Sequence, residues 1–346
     1  MPRVSALTMQ APTLSEAQAL LRPVAVLAGL DAANYSPHPL HGQDAVWVEK
    51  NCYGDLWIEL LHALRLEPLA MLAFTLAVDF EGDQWTFFKP PLDELRELYG
   101  IDVQEMSVWR PLIDHAVEQL GAGKIICTEA DAFWLPDTAS TDYRRQHTKT
   151  TIALVSLDVD GQWLGYFHNA GYFELSGEDF RQVFRIDAAD DPAYMPLFAE
   201  LVRIDRMRAL APEDLAAASL ALLRKHFARR PTANPLERFG DRLASDLPGL
   251  QAAGLARYHA WAFAGIRQAG SAFELAAAHL RWLAGFGLAS LLPAADSFEA
   301  IAQGHKTLIL KGARAVNSRK PLDATPLMRD MAHAWDHAMN TIGQAL

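Results

Sequence analysis

A cysteine attacks as its thiolate, and one cysteine in this chain stands where a thiolate is favoured. Cys52 follows Asn51 and precedes Leu56, Trp57, Leu60, Leu61 and Leu64, apolar positions at helical spacing in a run that Pro68 closes. It falls at or near the start of a buried helix, where unpaired N–H groups and the positive end of the dipole favour an anion. The proton acceptor must come from elsewhere in the chain. His147 stands just ahead of the β-branched run Thr150 to Leu157, and Asn169 follows the aromatic run Trp163 to Phe167. If the turn at Asp158 to Gly161 pairs these runs as a hairpin, His147 and Asn169 share one edge of the sheet, and Asn169 is placed to orient the imidazole. His168 is the competing imidazole, but strand alternation sends its side chain to the face opposite that of Asn169. The Cys52 backbone N–H is the natural donor to a developing oxyanion, with the side-chain amide of Gln43 or Asn51 as the second donor, a choice the sequence leaves open.

Other residues carry less. Cys127 lies in an apolar strand-like run and reads as a small buried hydrophobe, and no disulfide with Cys52 is expected. Glu129 and Asp131 flank Ala130 on one strand face; they are candidates to hold the ammonium of a substrate, or else to pair with Arg144 or Arg145. Asp79, Glu81 and Asp83 lack the ligand spacing of a calcium loop and read as a solvated turn. His333 and His337, with Asp330, share a helix face, but no glutamate follows His333 as a zinc-hydrolase helix requires, so no metal is expected. Gly121 to Lys124 lacks the first glycine and the hydroxyl of a phosphate loop and leads into a strand. Lys306, Lys311 and Arg314, continued by Arg319 and Lys320, form a basic stripe that reads either as a docking face for an acidic partner or as a solvated helix face.

The elements that must position these residues form two groups. Up to about residue 200, helical patterns at Pro68 to Leu76, from Leu92 to Gly100 and at Ile113 to Leu120 alternate with strand patterns at Trp85 to Phe88, Lys124 to Thr128 and the hairpin, an α+β order. Beyond residue 201 strand signals vanish, and alanine-rich helices follow one another, with Pro212, Pro235 and Pro326 at helix starts. The expected division is an arm or leading helix over 1–39, including the amphipathic stretch Leu14 to Leu21, a catalytic domain over 40–200 and a helical lobe over 201–346. Among 346 residues, 51% are apolar and 21% charged, the profile of a globular protein. The net charge of −11 is spread along the chain, which argues against nucleic acid and acidic membrane surfaces as partners. Without a bilayer-length apolar run or a signal-like N-terminus, a cytoplasmic protein is expected.

Cysteine, histidine and asparagine in that chain order are the order of papain-like enzymes. The stretch from His41 to Phe180, with Asn51-Cys52-Tyr53, Glu129 to Pro136, His147-Thr-Lys-Thr and Phe167 to Phe173, resembles a bacterial domain-of-unknown-function family. More distantly it is similar to the N-terminal domain of the butirosin-biosynthesis H-type acyltransferases. The resemblance implies a papain-like fold with an antiparallel sheet, in which Cys52 forms the acyl-enzyme, His147 is the base and Asn169 orients it. It also implies an aminoacyl donor presented as a thioester on the phosphopantetheine of a carrier protein, an amine or thiol acceptor, and no resident cofactor. A cysteine peptidase or amidase, and a silent module that only binds a carrier protein, are the alternatives.

Overall fold

The computed structural model describes residues 23–188 and 195–346. The amphipathic stretch Leu14 to Leu21 lies outside them. The protein is α+β, with one antiparallel sheet and a helical C-terminal region. Among the described residues seven strands make the sheet: β1 (Val24–Ala25), β2 (Asp102–Glu105), β3 (Ile125–Asp131), β4 (Lys149–Asp158), β5 (Trp163–His168), β6 (Gly171–Ser176) and β7 (Ala199–Arg203). Their order is β2-β7-β3-β4-β5-β6, with β1 added beside β4. Of the expected N-terminal arm, the described residues include the short strand β1, with Val24 opposite Leu157.

Four helices, α1 (Cys52–Ala63), α2 (Leu92–Tyr99), α3 (Leu112–Gly121) and α4 (Glu178–Val183), interleave with the strands. Six more follow: α5 (Pro212–Ala228), α6 (Pro235–Ala253), α7 (Leu255–Ala262), α8 (Gln268–Ala284), α9 (Leu292–Ser318) and α10 (Thr325–Ala345). Proline occupies the first turn of α5, α6 and α10, where its missing N–H costs no hydrogen bond. A π-helical turn, Phe263–Arg267, connects α7 to α8. The segment Pro68–Ala77 is a run of 3₁₀ turns rather than an α-helix. The expected strand at Trp85 to Phe88 is reduced to a single bridge between Phe80 and Trp85.

Close contacts divide the described chain into two units that are discontinuous in sequence. The sheet unit comprises residues 23–33, Gln104–Tyr166 and Phe173–Asp205; the helical unit comprises Asn34–Val103, Phe167–Tyr172 and Arg206–Leu346. In the sheet unit a core of Ile126, Leu154, Leu164, Tyr166, Leu175 and Phe180 fills the space between strands and helices. In the helical unit α1 is buried on every side from Tyr53 to Leu61, so its apolar residues have no solvent face to leave. Cys52 belongs to the helical unit and His147 to the sheet unit.

Candidate functional site

The entry to α1 is built to hold one backbone geometry. Asn51 is its N-cap: its Oδ1 accepts from Gly54 N at 2.7 Å, and its Nδ2 donates to Phe88 O at 2.8 Å. Both ends of the amide are therefore engaged in fixing the helix start. Cys52 is the first residue of the helix and is half-buried. Its backbone N–H is one of the orphan donors of the first turn, with no partner among the described residues. Gln43, the other amide candidate, is exposed in the preceding loop.

Beneath this turn lies a group of charges that the sequence reading does not single out. His41 is enclosed, with Nε2 3.1 Å from Asp55 Oδ1 and Nδ1 hydrogen-bonded to Glu59 Oε1; none of the three side chains is exposed. Tyr35 Oη donates to Glu59 Oε2 at 2.5 Å and His38 N to Glu59 Oε1 at 3.0 Å. The Lys50 backbone N–H donates to Asp55 Oδ2 at 2.6 Å, which ties the approach to Cys52 into the same network. The buried Lys50 ammonium donates to Leu40 O and Trp47 O, each at 2.6 Å, and lies 3.8 Å from Glu274. Burial alone would lower the pKa of His41, but the two carboxylate hydrogen bonds outweigh it and the net shift is upward. Burial likewise pushes Glu59 up, yet the hydrogen bond and charge of His41, with Tyr35 and His38, bring it below its ordinary value. Lys50 is lowered by burial in spite of Glu274 and Asp55.

In the sheet unit, β3 ends at Asp131 and β4 begins opposite it at Lys149. The intervening loop leaves and returns at the same rung, which delivers His147 to Asp131. His147 Nδ1 lies 2.5 Å from Asp131 Oδ2, and its ring stacks on Phe133 with centroids 4.4 Å apart and planes 15° from parallel. Asp131 Oδ1 accepts from Phe133 N at 3.1 Å and Thr148 N at 3.3 Å, so the carboxylate is itself fixed. The imidazole is 70% exposed, and Nε2 has no partner among the described residues. A ring held through Nδ1 by a carboxylate and open at Nε2 has the orientation of a general base.

The carboxylate against His147 Nδ1 is thus that of Asp131, and Asn169 makes no hydrogen bond to His147. Asn169 sits in the left-handed region (φ 44°) between β5 and β6, a conformation asparagine tolerates better than most residues. Glu129 is paired with Lys149 at 2.7 Å, and Arg144 bonds to Asp179 and Glu178, not to Glu129 or Asp131. Lys306 donates to Val46 O and lies over the Trp47 ring, whereas Lys311 and Arg314 are exposed and unpaired among the described residues. Asp296, four residues inside α9, pairs with Arg281. His337 bonds to Ser297 at 3.0 Å, and among the described residues no group of three or more His, Cys, Asp or Glu side chains is arranged to hold a metal ion. Cys127 is buried in β3, and burial, then the nearby Glu200, push its thiol well up.

Two family models cover most of the chain: the DUF1839 N-terminal domain over residues 36–204 and the DUF1839 C-terminal domain over residues 212–344. The chain belongs to the DUF1839 family. No curated protein matches it. In this DUF1839 protein the N-terminal model spans His41, Cys52, Asp55, Glu59, Asp131 and His147, while the C-terminal model spans α5 to α10 almost completely.

Proposed function

We propose that the protein is a papain-like cysteine acyltransferase, which moves an aminoacyl group from a carrier-protein thioester through Cys52 to an amine or thiol acceptor. The observation that supports it best is the His147–Asp131 pair, an exposed imidazole held at one nitrogen and open at the other. Cys52 adds a half-buried thiol at the first position of a capped helix. The aminoacyl donor and the carrier protein rest on the resemblance to the butirosin acyltransferases.

In the first half-reaction His147 Nε2 accepts the Cys52 thiol proton. The sulfur adds to the thioester carbonyl, and the carrier thiolate leaves with the proton from the imidazolium. In the second, the acceptor attacks the Cys52 acyl group, its proton passes to His147, and the Cys52–acyl bond breaks to regenerate the thiol. Asp131 stabilises the imidazolium in both halves. The Cys52 N–H is the donor available to the tetrahedral oxyanion.

The test mixes the protein with aminoacyl-loaded carrier protein, quenches in acid and seeks a hydroxylamine-labile adduct by intact mass. The adduct is expected on wild type and absent from Cys52→Ala, with iodoacetamide labelling of Cys52 slowed in His147→Ala. An adduct that turns over without any acceptor would reassign the protein as a hydrolase. Absence of an adduct from every loaded carrier, with labelling indifferent to His147, would remove the reading.

A further inference from the structure

Helices α6 and α10 pack against each other and are tied near both ends. Asn234, the cap of α6, donates through Nδ2 to Ala332 O at 2.9 Å and Asp336 Oδ1 at 3.1 Å on α10. At the far end, Gln251 Nε2 donates to Lys320 O at 2.8 Å in the connection that leads to α10. Between these ties α6 presents Gly240, close against Met328 of α10, and one turn on Ala244, two small residues that leave the groove beside them open. The result is a cavity of about 450 Å³ lined by α6, α10 and the Leu322 to Ala324 turn, a size suited to a small organic ligand.

Its chemistry is divided by wall. The floor is apolar, formed by Leu236, Leu243, Leu247 and Met328, all buried. Glu237 and Asp241 stand one turn apart on α6; Arg329 and His333 stand one turn apart on α10. All four are exposed, and none takes part in a hydrogen bond or ion pair among the described residues. Opposite charges on neighbouring helices ordinarily close on each other; here the cavity separates them. A metal ion would leave Arg329 without a partner, and a simple anion would meet two carboxylates.

We propose that this cavity binds a zwitterion with an apolar body, namely an apolar α-amino acid or short peptide with free termini. Its ammonium lies between Glu237 and Asp241, its carboxylate takes the Arg329 fork and a His333 N–H, and its side chain rests on the leucine floor. The inference is independent of the chemistry proposed for Cys52.

Isothermal titration of the full chain with L-leucine, L-phenylalanine and leucyl-leucine tests it. Saturable binding is expected, weakened at least ~10-fold for 3-methylbutylamine, which lacks the carboxylate, and for 4-methylpentanoate, which lacks the ammonium, each having lost a charge-assisted bond. Ala244→Trp, which fills the cavity from an exposed position, abolishes binding, and the surface changes Arg329→Gln and Glu237→Gln weaken it even if the tryptophan variant fails to fold. The tighter of amino acid and dipeptide identifies the source of the zwitterion. Lack of saturation with any zwitterion, equal affinity for the amine or the acid, or affinity unchanged in Arg329→Gln and Glu237→Gln would overturn the assignment.

Discussion

Both ring nitrogens of His41 face carboxylates, which only accept when ionised, so the ring donates from both and is an imidazolium. Replacing it in His41→Gln removes that charge from between Asp55 and Glu59 while leaving both carboxylates unexposed. Breaking a buried ion pair from one side costs about 3–5 kcal/mol. Lys50 N, Tyr35 Oη and His38 N still donate to the stranded carboxylates, which places the expected loss at the lower end, ~3 kcal/mol. For a domain of this size that is a fall in Tm of roughly 6–12 °C. The pH dependence isolates the cause. The raised pKa of His41 gives a contribution fully present below the unfolded value of 6.5 and lost as pH rises through the folded value. The lowered pKa of Glu59 gives one present above 4.5 and lost as pH falls through its folded value. His279 and His305, held near 4 mainly by burial, work the other way: they favour the fold increasingly as pH rises toward 6.5, in wild type and variant alike. His38, lowered to about 4 by burial and then by His62, is also lowered by the charge of His41, so its contribution differs between the two proteins. The difference between wild type and His41→Gln in thermal melts from pH 5 to 9 should therefore be largest near pH 6 and shrink above it. A difference below ~1 kcal/mol at pH 6, or one that does not change with pH, refutes the reasoning.

Three further outcomes are expected. Asp131→Asn should leave stability within ~0.5 kcal/mol, because the pair is exposed, while lowering turnover by at least ~100-fold in any reaction that uses His147; a stopped-flow or mass assay with a parallel melt checks both. Asn51→Ala should cost ~2 kcal/mol by urea titration, since it removes a cap and strands the buried Phe88 carbonyl, and should also change the labelling rate of Cys52. Gly100→Ala, at φ 70° on the left-handed cap of α2 with its new Cβ overlapping the Arg206 carbonyl, should cost on the order of 3 kcal/mol and show as a lowered melting temperature.

The helix start at Cys52 was legible because a cap, a first turn and an apolar stripe are local signals, and the same holds for the C-terminal helices that begin at proline. The hairpin of β4 and β5 was legible for the same reason. Strands β2 and β7 were not: Asp102–Glu105 and Ala199–Arg203 are short, and their pairing with each other, and of β7 with β3, depends on partners up to about a hundred residues away. Asp131 stood as a candidate for a substrate ammonium or for pairing with Arg144 or Arg145, because its contact with His147 follows from a loop that closes on the same rung it left, and the length of a loop does not reveal its return register. Asp55 and Glu59 carry no local signal that marks them as a site. Yet α1 has no polar side, and a carboxylate in a helix buried all round must bring its own donors. His41, only fourteen residues before Asp55, supplies them to both. The charge group beneath Cys52 thus follows from the same burial that makes the helix start rigid: an apolar helix that carried no carboxylates could be entered at several angles, whereas one whose Asp55 must receive the Lys50 N–H admits the chain along one path.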